Sequence, residues 1–511
     1  MSVATAAPPG QAGQGGNPIQ EENQRSGTTG WDSGQLRHGH RGPVLEERPG
    51  SSVNAAEVGT VTASAWVDTP IRGYAGQASI NRGEALALHV STSRPSYTLE
   101  IYRMGWYGGA GARLLQTVGP LPGQNHPVPP PQPDTGLIAC AWPVSYTLQT
   151  GADWVTGVYL VKLISDVGDV GYILFVLRDD SRPADILYQV PLTTYQAYND
   201  WGGKSLYDHN STGGRAYKVS FDRPYSNWAG AGDFFEGDYN MIRWLERQGY
   251  SLTYATSIET QAAPGVLSGH KVFLSNWHDE YWSKPMRDHL TAARDQGKHL
   301  AFFDSNNIYW QIRFESSASG VDNRVMVCYK DASLDPLSGS NPSLTTVTWR
   351  EAPVNQPENA LLGIMFEDMF TYGSSYPWVV QNAGHWIYAG TGLQEGQAIA
   401  GLVGYEYDKV FNNGLTPAGL TVLAASPVVG NSAGSSTHHG AIYTAPSGAL
   451  VFTAGTNYWP WKLDDNPYQS HGADARVQQI TANLLNRMIG SPPGGETGLH
   501  RALLPAITRR S

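Results

Sequence analysis

The chain has 511 residues, and its 34 basic residues against 44 acidic residues give a formal net charge of −10. An acidic chain without a long basic run is a poor partner for nucleic acid or an anionic membrane, so we exclude both as main partners. No stretch reaches the roughly 18 consecutive apolar residues that a membrane-spanning helix needs. The 58 glycines, 33 prolines, 16 tryptophans and 27 tyrosines predict a loop-rich globular protein.

Location and redox state are weakly indicated by the sequence. The start of the chain lacks the basic and apolar regions of a signal peptide, which favours the cytoplasm. The low charge content would also suit an exported protein whose signal is not included in this sequence. Cys140 and Cys328 show no metal-binding spacing, so we interpret them as packed thiols, with one long-range disulfide as the alternative.

The first third of the chain divides into two parts. Residues 1–52 are rich in Gly, Pro, Gln and Ser with almost no apolar periodicity, which predicts a disordered tail. Within that tail, residues 17–31 have enough character to lie along the folded body. Residues 53–180 contain short runs of Val, Tyr, Leu and Thr between Gly and Pro turns, the pattern of an antiparallel β-sandwich.

The second part alternates apolar strands with amphipathic helices over residues 181–490, which predicts a parallel α/β sheet. Helices are predicted over 238–248 and 284–296, and the region near 320–420 is an insertion into this rhythm. Residues 491–511 are predicted to form a flexible C-terminal tail. Because ligands bind beyond the carboxyl ends of the strands in such sheets, the residues that follow the strands are the candidates for the site.

Two polar segments stand out after predicted strands. His278, Asp279 and Glu280 lie in the turn between an apolar strand and a helix, where they could ligate a metal or act as acid and base. The alternative is a solvated loop with a helix cap. Tyr195 and Tyr198 follow another strand and are either phenolic ligands and donors or, more commonly for such residues, buried tyrosines that bind backbone groups.

Serine and amide side chains follow a third strand, which runs into a predicted helix. Asn306 is a better candidate for orienting a substrate than Ser305 is for a nucleophile, although Asp304 or Asn306 could simply cap the helix. A G-x-S-x-G match around Ser432 lacks the helix that follows a nucleophile elbow. We therefore interpret Ser432 as a loop serine and do not expect a serine hydrolase.

With these motifs, the sequence resembles the family named for the large (beta) subunit of N,N-dimethylformamidase. The resemblance covers residues from about 55 to 490, and it rests on the segments Tyr102–Arg113, Trp154–Leu163, Thr194–Gly203, His278–Glu280 and Ala454–Trp459. It implies a β-sandwich followed by a flavodoxin-like α/β domain similar to class I glutamine amidotransferases. It also implies a small-molecule amide substrate and either a small partner subunit or a homo-oligomer.

The resemblance further implies one ferric iron held by two tyrosines and a glutamate. Mapped by motif, the ligands are Tyr159, Tyr198 and Glu280, with Tyr195 as the neighbouring alternative to Tyr198. The implied catalytic residues are His278 and Asn306. Hard oxygen donors with open positions would let the metal act as a Lewis acid and activate water.

Two function classes remain. The first is an iron-dependent hydrolase that cleaves the C–N bond of a small, formamide-like amide with metal-activated water. The alternative is a non-catalytic protein that binds a carbohydrate or another planar ligand in an aromatic cleft lined by Trp106, Tyr107, Trp277 and Trp282. Metal content separates the two.

Overall fold

A computed structural model describes residues 16–34 and 69–490 of the chain. In this part of the protein, many short sheets and few helices form a mixed α/β fold. No helix within these residues is long and apolar enough to cross a membrane.

Two facing sheets form the first unit after a short helix, α1 (Pro18–Asn23). A five-stranded sheet has the order β2-β8-β7-β4-β5, and a three-stranded sheet has the order β1-β3-β6. Apolar side chains of both sheets share one core, as expected for strands with alternating inward residues. The strands are β1 Ile71–Ala75, β2 Ser79–Asn81, β3 Ala85–Thr92, β4 Ser96–Met104, β5 Ala112–Pro122, β6 Tyr146–Gln149, β7 Gly157–Ser165 and β8 Val170–Arg178.

The second unit contains all remaining elements. Its helices are α2 Leu192–Tyr198, α3 Asp238–Gln248, α4 Ser257–Ala262, α5 Lys284–Asp295, α6 Asn359–Leu362 and α7 Ala475–Ile489. Its strands are β9 Ile186–Val190, β10 Lys218–Ser220, β11 Leu252–Thr256, β12 Val272–Trp277, β13 Tyr281–Ser283, β14 His299–Asp304, β15 Trp310–Glu315, β16 Val325–Val327, β17 Met365–Met369, β18 Tyr376–Val379, β19 Ala398–Val403, β20 Glu406–Lys409, β21 Thr421–Gly430, β22 Gly434–Thr444 and β23 Leu450–Thr453.

A seven-stranded sheet is the centre of this unit. Five parallel strands run β11-β9-β12-β14-β23, and the antiparallel strands β22 and β21 extend one edge. Numbered by their order along the chain, the parallel strands have the spatial order 2-1-3-4-5, which is one of the two common orders of doubly wound sheets. The carboxyl ends of β9, β12 and β14 therefore lie side by side.

The two helices predicted from apolar spacing are confirmed. Helix α3 ends at Gly249, whose φ of 77° is the left-handed conformation that favours glycine at a helix end. Helix α5 begins after Ser283, whose hydroxyl accepts a hydrogen bond from the backbone N–H of Met286.

Residues 16–34 of the predicted tail are ordered and lie against the folded body, in agreement with the exception made for residues 17–31. Ile19 and Trp31 are buried, and the carboxylate of buried Glu22 accepts a hydrogen bond of 2.6 Å from Nε of Arg113. The Trp31 ring stacks on Phe235 with 5.6 Å between centroids. A few large apolar groups and the ion pairs of Glu22 with Arg113 and Arg25 thus fix a segment within a tail whose average composition predicts no order. The other residues of both predicted tails lie outside the described residues.

The helix predicted after Asp304 is absent. The chain instead turns sharply, with Asn306 and Ile308 at φ of 57° and 56°, and continues into β15. Consequently neither Asp304 nor Asn306 caps a helix there, and the backbone N–H of Asn306 donates to Asp408 at 2.9 Å.

Three other sequence interpretations can be checked directly. Cys140 and Cys328 are separate buried thiols. Ser432 lies in the turn between β21 and β22, as expected for a loop serine. Within the described residues after β14, the chain forms the small pairs β17–β20 and β18–β19 before it returns to the sheet. Strand β20, which lies in the region predicted as an insertion, contributes a residue to the candidate site.

Candidate functional site

Three oxygen-bearing side chains meet beyond the ends of β9 and β12. Tyr198 is the last residue of α2, which follows β9, and its hydroxyl donates to Oε2 of Glu280 at 3.0 Å. Tyr207, in the following loop, donates to the same carboxylate at 3.1 and 3.3 Å. Glu280 is fully buried just after β12. We call Tyr198, Tyr207 and Glu280 the tyrosine–glutamate cluster.

The surroundings of Tyr207 fix its ring. The hydroxyl of Tyr281 donates to the hydroxyl of Tyr207, and the Tyr198 ring stacks on the Tyr207 ring with 4.4 Å between centroids. Nζ of Lys330 lies 3.4 Å from the centroid of the Tyr207 ring, within the range of a cation–π contact. The Tyr207 oxygen is therefore held in one position toward Glu280.

His278 connects this cluster to a second carboxylate. Its Nε2 lies 3.6 Å from Oε2 of Glu280, 3.5 Å from Oε2 of Glu406 and 3.4 Å from the hydroxyl of Tyr198. Burial lowers the pKa of His278 to about 3, so the imidazole is neutral near pH 7. A neutral imidazole has one ring nitrogen that donates a hydrogen bond and one that accepts.

Glu406 is held by two amides. Nδ2 of Asn306 lies 3.4 Å from Oε1 of Glu406, and Nδ2 of Asn457 donates to Oε2 at 3.1 Å. The hydroxyl of Ser305 donates to Oδ1 of Asn457, so Ser305 orients an amide. Asn306 therefore belongs to the site through Glu406, and Ser305 takes a supporting position.

A small pocket of about 50 Å³ opens beside the cluster. Its lining consists of Thr194, Tyr195, Tyr198, Asn227, Asp233, Glu236, Trp277, His278 and Tyr405. Trp277, the last residue of β12, has a φ of 67°, a conformation that costs energy for a bulky residue. Trp277 also lines the pocket. Backbone strain of this kind often occurs at functional sites.

A family model matches most of the chain. The model described as "N,N-dimethylformamidase beta subunit-like, C-terminal" matches residues 98–472. The chain belongs to this family. The matched range includes the whole tyrosine–glutamate cluster together with His278, Asn306 and Glu406.

Other comparisons add little to the dimethylformamidase-like assignment. No curated protein matches the chain. A solved structure described as "mmIFT52 N-terminal domain" has 9% identity and a TM-score of 0.27, covering 47% of this chain and 86% of that one. A cycloisomaltooligosaccharide glucanotransferase from Paenibacillus sp. has 10% identity and a TM-score of 0.15, covering 52% of this chain and 34% of that one. At these TM-scores neither likeness bears on fold or function.

The structure does not bring Tyr159 to the cluster of this dimethylformamidase-like protein. Tyr159 lies in β7, where its ring packs between Trp154 and Phe175 with centroid distances of 5.4 and 5.1 Å. Its hydroxyl donates to the carbonyl of Val155 at 2.6 Å. Tyr159 is thus a sandwich core residue, and Tyr207 is the second tyrosine that faces Glu280.

The two remaining sequence candidates have structural roles. The hydroxyl of Tyr195 donates to the buried carboxylate of Asp238, so Tyr198 and not Tyr195 turns toward Glu280. Asp279 accepts hydrogen bonds of 2.7 Å from Gln189 and from Ser275. Its carboxylate therefore organises the strand ends instead of facing the pocket.

The prediction that four aromatic residues line one cleft is wrong. Trp106 packs against two arginines at 4.9 and 5.1 Å, and Tyr107 is buried with its hydroxyl on Glu22. Trp282 is fully buried, and its Nε1 donates to Asp279. Of the four, Trp277 lines the pocket of this family member.

Sequence reasoning missed Tyr207 and Glu406. Tyr207 lies in the loop that follows α2, nine residues after Tyr198, so its place beyond the end of β9 was the available signal. Glu406 is 126 positions after Glu280 and lies in β20, within the region predicted as an insertion. The sequence carries no comparable signal that this residue reaches the site. Within residues 16–34 and 69–490, no group of three or more His, Cys, Asp or Glu side chains is arranged to hold a metal. A metal at this site would therefore depend on tyrosine oxygens.

A methyl group at Gly237 is expected to disturb the pocket. A Cβ there would lie 2.6 Å from Cε3 of Trp277, so Gly237→Ala must move the ring and should lower the free energy of unfolding by about 1–3 kcal/mol. Gly265→Ala is the matched control, because no atom lies within 4 Å of its Cβ position. Denaturant unfolding and the near-UV circular dichroism of tryptophan measure both variants. Wild-type stability and spectrum in Gly237→Ala would contradict the packing described here.

Proposed function

We propose that this protein hydrolyses the C–N bond of a small, formamide-like amide with the help of one ferric iron. The observation that carries the proposal is the convergence of Tyr198, Tyr207 and Glu280 beside a pocket that Tyr198 lines, in a chain of the dimethylformamidase beta-subunit-like family. We further propose that the α/β unit is similar to class I glutamine amidotransferases. The parallel strand order 2-1-3-4-5 supports that likeness.

The donor set fits a hard metal ion. Two phenol oxygens and a fully buried carboxylate are ligands that ferric iron prefers. Both phenol hydroxyls donate to Glu280, and metal binding requires such ligands to lose their protons. When bound, iron would supply Lewis-acid chemistry, polarising the amide carbonyl and lowering the pKa of a water molecule.

The side chains around the cluster would handle protons and orientation. In hydrolysis, the water oxygen bonds to the carbonyl carbon, the C–N bond breaks and its electron pair leaves with nitrogen, which takes a proton. We propose that His278 accepts the proton of water and returns it to nitrogen; the position of its Nε2 within 3.6 Å of both Glu280 and Glu406 supports this role. Asn306 positions Glu406 and can orient the amide.

The first experiment measures metal and amine release together. Purified protein, reconstituted with iron, should contain about one iron per chain and show a tyrosinate-to-iron absorption band. It should release amine from formamide, N-methylformamide or N,N-dimethylformamide. Failure to bind iron would contradict the proposed site, and equal hydrolysis by iron-free protein would contradict the proposed role of the metal.

The family description as beta-subunit-like points to a partner. We therefore propose that activity involves a small partner subunit or a homo-oligomer, as well as the amide substrate. Iron binding, which depends on residues of this chain alone, should be measured before activity. Light scattering of the purified chain would show whether it forms a homo-oligomer by itself.

A further inference from the structure

Thr194 lies between the pocket and the tyrosine–glutamate cluster. It lines the pocket and is only 2% exposed. It belongs to α2, four residues before Tyr198, so the two side chains share one face of the helix. Its Oγ1 accepts a hydrogen bond of 3.0 Å from the backbone N–H of Glu280. One face of α2 therefore holds both the backbone and, through Tyr198, the carboxylate of Glu280.

The hydroxyl of Thr194 keeps a hydrogen that it can donate. A threonine hydroxyl has one O–H donor and two acceptor lone pairs, and the bond from the Glu280 N–H uses one lone pair. In a helix such a hydroxyl can donate to a carbonyl one turn earlier. Here the carbonyl of Pro191 accepts from the backbone N–H groups of Thr194 and Tyr195 at 3.0 and 3.2 Å. Within residues 16–34 and 69–490, no group accepts from the Thr194 hydroxyl.

Two other hydroxyls of the pocket lining already donate to carboxylates. The Tyr195 hydroxyl donates to Asp238, and the Tyr198 hydroxyl donates to Glu280. A buried O–H group without an acceptor costs free energy. The pocket therefore favours a ligand that offers an acceptor oxygen to Thr194, on the side where Tyr198 and His278 also line it. The carbonyl oxygen of an amide is an acceptor of this kind.

We propose that the Thr194 hydroxyl donates a hydrogen bond to the carbonyl oxygen of the bound amide and is a further catalytic residue of this site. This inference rests on the proposed amide hydrolysis. When water attacks the carbonyl carbon, the electron pair of the C=O bond moves onto oxygen, which carries negative charge until the C–N bond breaks. A fixed hydrogen-bond donor stabilises that charged oxygen more strongly than the neutral carbonyl, and so lowers the barrier.

The two neighbouring threonines provide the variant and its control. Thr194→Val removes the hydroxyl and keeps the shape of the side chain, whereas Thr194→Ser keeps the hydroxyl. Thr193→Val is the matched control. The Oγ1 of Thr193 is buried without a hydrogen-bond partner in the part of the chain that the structure describes, and Thr193 is not among the residues that line the pocket. Thr194→Ala is the second variant should Thr194→Val fail to fold, as judged by far-UV circular dichroism.

Amide binding to iron-free protein tests the hydrogen bond without requiring activity. A carbon-13 NMR titration with carbonyl-labelled N,N-dimethylacetamide measures the dissociation constant. We expect Thr194→Val to weaken binding about fivefold, which corresponds to the loss of one hydrogen bond. Thr194→Ser and Thr193→Val should bind the amide as the wild type does.

Amine release by iron-loaded protein tests the catalytic role. Thr194→Val should lower kcat by about 100-fold or more, as expected for the loss of one donor to a developing oxyanion. Iron per chain and the visible absorption band should stay unchanged, because all three proposed ligands remain. Thr194→Ser should recover most of the lost kcat. A residue that only supported the fold would not separate kcat from iron content in this way.

The outcomes separate this inference from the proposed function. Loss of iron in Thr194→Val would overturn the inference, because Thr194 would then act only by holding Glu280. Wild-type amide binding and wild-type kcat in Thr194→Val would also overturn it, even if the protein is an active amidase. Weaker amide binding in Thr194→Val but not in Thr193→Val, by a protein whose iron-loaded form releases no amine, would support the hydrogen bond and contradict amide hydrolysis. A wild type that neither binds the amide nor releases amine would contradict both.

Discussion

Tyr207→Phe is expected to lose iron, whereas Tyr159→Phe keeps it. The Tyr207 oxygen lies 3.1 Å from the Glu280 carboxylate, and its removal deletes one of the three proposed ligands. The loss of affinity should exceed the ~10–100-fold that follows from removing an outer-shell partner. The Tyr159 hydroxyl instead donates to a backbone carbonyl within the sandwich. Iron per chain from elemental analysis and the visible absorption band measure both variants.

The two tyrosine variants control for one another because each removes one buried hydroxyl. Tyr159→Phe should cost about 1 kcal/mol of stability from the lost hydrogen bond, with full iron content. Glu280→Gln keeps the shape of the side chain and should lose iron as Tyr207→Phe does. Iron retained in Tyr207→Phe but lost in Tyr159→Phe would restore the ligand set that the family resemblance implies.

Glu246→Gln is expected to lower the free energy of unfolding by about 3–5 kcal/mol, because it leaves a buried arginine charge without its carboxylate. Arg103 of β4 and Glu246 of α3 both have 0% exposed side chains, with 2.7 Å between Nη2 and Oε1. The hydroxyl of Tyr254 also donates to Glu246 at 2.8 Å. Since β4 and α3 belong to different units, this pair couples the sandwich to the α/β unit. Urea unfolding measures the change.

Glu315→Gln is the matched control for that variant. The Lys218–Glu315 pair has the same 2.7 Å separation, but its side chains are 21% and 45% exposed. Surface pairs of this kind contribute less than about 1 kcal/mol. A double variant, Arg103→Met with Glu246→Leu, should recover much of the lost stability because neither charge of the pair remains. A change below 1 kcal/mol in Glu246→Gln would show that the buried pair does not couple the units.

Much of the α/β unit could be predicted because its local signals agree with its packing. Apolar runs mark strands that are buried on both faces, and Gly249 marks a helix end. Residues directly after those strands, such as Tyr198 and Glu280, could therefore be placed near one another. The turn at Asn306 was missed because nothing in its composition separates a left-handed turn from a helix start.

The rest of the site depends on long-range contacts that no local pattern contains. Tyr207 returns to the cluster because the backbone N–H of Leu206 donates to the carbonyl of Ala197, and Asn210 donates to the carbonyl of Tyr198. Tyr159 was included in the ligand set only because the family resemblance implied it, whereas its ring lies in the core of the sandwich. A strand's sequence shows which residues alternate between its faces, but which face meets which neighbour is set by the packed sheets.

Because Trp31 stacks on Phe235, removing the start of the chain would change the packing beside the pocket. Phe235 immediately precedes Glu236, and Trp31 also donates from Nε1 to the carbonyl of Ala110 at 2.9 Å. The composition predicts that the tail ends at residue 52. A shortened protein that begins at residue 53 would lack Trp31 and would leave a gap beside Phe235, next to the carboxylate of Glu236. Protease cleavage or an unsuitable fusion boundary ahead of the first strand could therefore alter ligand preference while the sheets stay intact.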